Sequence, residues 1–95
     1  MPRILIAEDS PTQALLLQAF LEDAQFEVHV QPNGGKALSA IPGAQPDIVL
    51  TDLDMPEMNG LELVSAIRKR HPSIPVVLMT AHGSEEIAAV GFSHR

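Results

Sequence analysis

Four short apolar runs rich in β-branched residues, at 4–7, 28–30, 48–50 and 75–79, recur along this chain, each parted from the next by a stretch of helical character. Strands that alternate with helices specify βαβ units, so the expected fold is α/β with a parallel sheet. Ninety-five residues leave room for one such domain and no second core. Nothing repeats beyond the strand and helix alternation.

The helix boundaries are written in cap residues. Ser10 suits an N-cap, Pro11 the first helical position, and Gln13 stands where a capping partner would return the bond, so a first helix is expected to run to about Asp23. Ala14, Leu15, Leu16 and Leu17 advance about 100° each and wrap more than half of it, which calls for cover on two sides. A second helix opens after Asn33-Gly34-Gly35 and is expected to end before Pro42-Gly43. A third opens near Gly60 and closes before Pro72, with Arg68, Lys69 and Arg70 complementing the dipole at its end. A fourth is expected over 85–90.

Composition narrows the function classes. Lys and Arg number 6 and Asp and Glu 12, a net charge of −6. That balance repels phosphate backbones and anionic lipid, so neither a nucleic-acid nor a membrane partner is expected. The apolar runs fall far short of a membrane span of about 18 residues, and Arg3 precedes only four apolar residues before Glu8 and Asp9, too few for a secretory signal; a cytoplasmic location is expected. Cysteine is absent, which removes disulfides, thiolate metal sites and a cysteine nucleophile. His29, His71, His82 and His94 show no metal-binding spacing, and Gly34-Gly35-Lys36 lacks the remaining residues of a phosphate-binding loop.

Chemistry in open parallel sheets collects beyond the carboxyl ends of the strands. Glu8, Asp9 and Ser10 follow the first strand, Thr51, Asp52, Leu53 and Asp54 the third, and Thr80 and Ala81 the fourth. Adjacent strands would bring Glu8, Asp9 and Asp52 to one edge. Two carboxylates about 4 Å apart repel by roughly 4 kcal/mol at an effective dielectric of 20, so three in one cleft call for a proton or a hard cation such as Mg²⁺.

Ile4-Leu5-Ile6-Ala7-Glu8-Asp9-Ser10, Asp47-Ile48-Val49-Leu50-Thr51-Asp52-Leu53-Asp54-Met55-Pro56-Glu57-Met58-Asn59-Gly60 and Pro75-Val76-Val77-Leu78-Met79-Thr80-Ala81, in that order and at those separations, resemble the response-regulator receiver domain of two-component signalling. The resemblance covers about residues 3–88 of a single domain spanning 1–95, with a divergent tail at 89–95. It implies a flavodoxin-like, doubly wound parallel sheet. It also implies a signalling module rather than an enzyme, in which Asp52 accepts a phosphoryl group from a histidine kinase or phosphotransfer protein. By the same resemblance Glu8, Asp9, Asp52 and the backbone carbonyl of Asp54 would hold Mg²⁺, and Thr80 would be the switch hydroxyl.

Family receivers continue into a fifth strand with a catalytic lysine and a fifth helix, whereas here no lysine follows Lys69. The expected sheet is therefore 2-1-3-4, a receiver shortened by its last βα unit, with self-association through strand 75–79 and exposed helix faces. Two other readings stand beside this one. A receiver-like module could bind or dimerise without being phosphorylated, and Asp52-Leu53-Asp54 matches the D-x-D of haloacid-dehalogenase-like phosphatases, although Pro56 stands where that family has Thr or Val.

Overall fold

The computed structural model describes residues 1–79 and the pair 87–88. Strand β1 (Arg3–Ala7) leads into helix α1 (Pro11–Asp23), followed by β2 (Glu27–Gln31), α2 (Gly34–Ala44), β3 (Ile48–Asp52), α3 (Gly60–Arg70), β4 (Val76–Met79) and a two-residue β5 (Ile87–Ala88). The four longer strands pair in parallel in the order 2-1-3-4. This is the flavodoxin-like sheet the motifs implied, and its register places Ala7 beside Thr51 and Asp52 beside Met79.

Alternation along the strands feeds two cores. Leu5, Ala7, Val49, Val76 and Leu78 face α2 and α3, where Ala37, Ile41, Leu63, Val64 and Ile67 close over them. Ile4, Ile6 and Val28 face the other way, under Leu17 and Leu21 of α1. On that side Leu15, Leu16 and Phe20 are exposed, so among the described residues the apolar circumference of α1 is covered on one side.

Local chemistry explains most boundaries. The Ser10 hydroxyl accepts the Gln13 N–H at 3.3 Å, as its sequence position suggested. Asn59 forms a full capping box, its Oδ1 accepting the Glu62 N–H while Glu62 Oε1 accepts the Asn59 N–H, both at 2.9 Å.

Two elements depart from expectation. Helix α2 runs through Pro42 to Ala44 and stops at Gln45, whose φ of 47° is left-handed. Proline this close to a helix end forfeits one hydrogen bond, and burial of Ile41 one residue earlier offsets that loss. Ile87 and Ala88, expected within a fourth helix, instead pair antiparallel with Met79 and Leu78. An edge strand leaves backbone donors and acceptors unpaired, and this short pairing satisfies part of that edge. The remainder of the expected 85–90 helix lies outside the described residues.

Candidate functional site

The carboxyl ends of β1 and β3 converge because these strands are hydrogen-bonded neighbours. One carboxylate oxygen each from Glu8, Asp9 and Asp52 lie within 4.8 Å of one another. The predicted trio is thus brought together, but its members differ in environment: Glu8 is buried, Asp52 half-buried and Asp9 exposed.

Backbone bonds hold this edge in place. The Glu8 N–H donates to the Gln31 carbonyl at 3.0 Å, tying the end of β1 to β2, and Glu8 Oε2 accepts the Ser10 N–H at 3.0 Å. Past β3, the Leu53 N–H donates to the Met79 carbonyl and the Gly60 N–H returns to the Leu53 carbonyl, each at 2.9 Å. The buried Thr51 hydroxyl donates to the Asp52 carbonyl at 3.0 Å. A Cβ on Gly60 would collide with that same carbonyl oxygen and stand 2.6 Å from Leu78 Cδ1, so only glycine lets α3 begin so near Asp52.

Burial is the largest cause of a shift that raises the Glu8 pKa from 4.5 to about 7. The Ser10 N–H opposes it, and the charges of Asp52 and Asp9 add to it. The amino end of the sheet behaves oppositely. There His29 Nε2 lies 2.8 Å and Arg3 Nε 3.5 Å from the Glu27 carboxylate, and the His29 contact first, then Arg3, hold that carboxyl below its usual range. Among the described residues no ion pair serves the Glu8 cluster.

Beside the three carboxylates opens a groove of about 430 Å³, lined by Asp9, Asp54, Met55, Pro56 and Asn59. Asp54 is exposed there, whereas Met55 anchors the loop in the core. Glu57, at the tip of the same loop, holds a left-handed φ of 68°. The proposed switch residue Thr80 lies outside the described residues. Sequence reasoning did not single out the Asn59 capping box, although Asn59 followed three residues later by Glu62 carries its signature. It also missed the close approach at Gly60, for which no local signal beyond a lone glycine exists.

A family model for the response regulator receiver domain matches residues 4–94. The chain belongs to that family. Among curated relatives, this receiver domain is 32% identical over 89 residues to the luminescence regulatory protein LuxO of Vibrio campbellii, an alignment covering 94% of this chain and 20% of LuxO. It is 33% identical, over 94% of this chain and 19% of the relative, to the DNA-binding transcriptional regulator NtrC of Escherichia coli. The chain therefore spans about a fifth of the length of the curated relatives it matches. Among solved structures, the response regulator TrrA of Thermotoga maritima, in complex with Mg²⁺ and BeF, superposes with a TM-score of 0.83 at 34% identity, over 87% of this chain and 72% of TrrA. Chemotaxis protein CheY4 of Vibrio cholerae matches with a TM-score of 0.81 at 30% identity, over 90% and 72% of the two chains. This domain is accordingly a receiver of the two-component type, a class of signalling modules.

Proposed function

We propose that Asp52 is a phosphoacceptor, loaded in an Mg²⁺-dependent step by a histidine kinase or phosphotransfer protein, and that its modification switches a protein-binding surface. The observation that carries this reading is the gathering of Glu8, Asp9 and Asp52 at the carboxyl end of the sheet, within 4.8 Å and without a cationic partner among the described residues. An all-oxygen donor set of carboxylates suits a hard divalent cation, and Glu8, Asp9, Asp52 and the Asp54 carbonyl would hold it. TrrA, a neighbour in fold, was solved with Mg²⁺ and BeF. When bound, the cation supplies charge neutralisation for an incoming phosphoryl group.

The remaining steps fall to the protein. An Asp52 carboxylate oxygen attacks phosphorus, an acyl phosphate forms, and the P–N bond of the donor phosphohistidine breaks with its electron pair returning to the imidazole. Glu8, whose pKa burial raises to about 7, would have to give up its proton to serve as a ligand. The new phosphoryl oxygens would be hydrogen-bond acceptors for the Thr80 hydroxyl, shifting a population between two packings. The same switch would act in the cytoplasm, within a longer regulator or alone. Self-association through the part of β4 that β5 leaves free and through exposed helix faces would give a second output.

Incubation with acetyl phosphate and Mg²⁺ tests the assignment. The expected result is a mass gain of one phosphoryl group that is lost in Asp52→Asn and kept in Asp54→Ala. No gain under forcing conditions would favour the inert binding module, and loss of phosphate turnover in Asp54→Ala would favour the phosphatase reading.

A further inference from the structure

Among the described residues two polar side chains are buried, Glu8 and Thr51. Glu8 belongs to the acidic site, whereas Thr51 does not. Thr51 is wholly enclosed, beside Ala7 and Leu78 in the strand register and two residues after Val49, on the sheet face that α2 and α3 cover. Those three neighbours are apolar, so valine, of nearly the same shape, would fill the space without burying a hydroxyl.

The hydroxyl is spent on the backbone of the next residue. Thr51 Oγ1 donates to the Asp52 carbonyl at 3.0 Å, and that carbonyl shares one planar peptide group with the Leu53 N–H. The other end of the same group is held too, because the Leu53 N–H donates to the Met79 carbonyl of β4 at 2.9 Å. Gly60 closes on the Asp52 carbonyl oxygen from α3, where a Cβ would collide with it. The peptide group that follows the Asp52 side chain is thus fixed at both of its polar atoms.

We propose that Thr51 is a positioning residue for phosphoryl transfer, its hydroxyl locking the Asp52–Leu53 peptide group and so aiming the Asp52 carboxylate at the point where Glu8 and Asp9 converge. Successive strand side chains point to opposite faces, so the hydroxyl acts through the backbone and touches neither the carboxylate nor the phosphoryl donor. Without that bond the carbonyl is free to turn, and a nucleophile displaced by a fraction of an ångström reacts more slowly even when its reactants are saturating. The inference rests on the reading of Asp52 as the phosphoacceptor.

Thr51→Val removes the hydroxyl and keeps the shape, while Thr51→Ser keeps the hydroxyl. Amide hydrogen exchange of the full chain in EDTA reads the peptide group directly. The Leu53 N–H should exchange about tenfold faster in Thr51→Val and within about twofold of the wild type in Thr51→Ser, with the amides of β1 unchanged. Loading of Asp52 by acetyl phosphate in Mg²⁺ reads the consequence. Its saturating rate constant should fall about tenfold in Thr51→Val, with the half-saturating concentrations of acetyl phosphate and Mg²⁺ unchanged, and should recover in Thr51→Ser. Thermal melts confirm folding, and Thr51→Ala takes the place of Thr51→Val should the latter not fold. A wild type that accepts no phosphoryl group would overturn the phosphoacceptor reading and this inference with it. Wild-type loading matched by Thr51→Val, a loss shared by Thr51→Ser, or unchanged Leu53 exchange would overturn this inference alone.

Discussion

The two ends of the sheet hold the same residue type in opposite states. At the amino end Glu27 lies half-buried between His29 and Arg3, and those contacts hold its carboxyl below the usual range. At the carboxyl end Glu8 is buried between Asp9 and Asp52, and its pKa rises to about 7. Surface pairs of the first kind contribute little to folding. A buried acid of the second kind destabilises the metal-free protein as it ionises, and acids shifted in this way collect at functional sites. On the proposed reading, the contrast places the chemistry at the carboxyl end of the sheet.

Changes at the carboxyl end should therefore outweigh those at the amino end. The largest effect is expected for Gly60→Ala, whose new Cβ meets the Asp52 carbonyl and Leu78. Overpacking of this kind costs about 2–3 kcal/mol, and urea denaturation should show the midpoint falling without a change in slope. Gly35→Ala is the control, expected to show no such loss, since a Cβ there meets nothing nearer than 3.5 Å.

Glu8 comes next. In EDTA the folded protein keeps the Glu8 proton up to about pH 7 while the unfolded chain releases it near 4.5. The folded state thus binds more protons across that window, and metal-free stability falls as pH rises from about 4.5 to 7. Glu8→Gln should flatten this fall and raise metal-free stability at pH 7 by on the order of 2 kcal/mol, read from thermal melts at several pH values. Millimolar Mg²⁺ should raise the melting temperature of the wild type, and Glu8→Gln should shrink that rise.

Asn59→Ala removes the Oδ1 acceptor of the Glu62 N–H in the α3 capping box, at the edge of the acidic groove, while the backbone N–H of residue 59 can still donate to Glu62, and should cost about 1 kcal/mol. The smallest effect is expected for Glu27→Gln. Its stabilising contacts should be present above pH 4.5 and fade as pH falls below it, so near neutrality its melt should track the wild type except at low salt.

Much of this contrast was legible in the sequence, and the reasons differ by residue. The meeting of Glu8, Asp9 and Asp52 follows from strand position alone, because each acid ends or follows a β-branched run and adjacent parallel strands align their ends. That Glu8 is buried and Asp9 exposed is not legible, since neighbours in sequence diverge only when β2 and the Ser10 turn enclose one of them. Helix α2 passes Pro42 because Ile41 is drawn into the core, a tertiary effect that overrides a local breaker. Glu85-Glu86-Ile87-Ala88-Ala89 reads as helix by propensity, yet a segment this short gains little from a helix that must first nucleate. An open strand edge at Leu78 and Met79 offers Ile87 and Ala88 backbone partners instead.

The central claim is that the cluster of Glu8, Asp9 and Asp52 receives a phosphoryl group on Asp52 with a divalent cation. Peptide mapping after treatment with acetyl phosphate tests it most directly, once with Mg²⁺ and once with EDTA. The account predicts a hydroxylamine-labile phosphoryl group on the peptide containing Asp52 in Mg²⁺ and none in EDTA. Modification of another residue, or equal modification of Asp52 in EDTA, would contradict it.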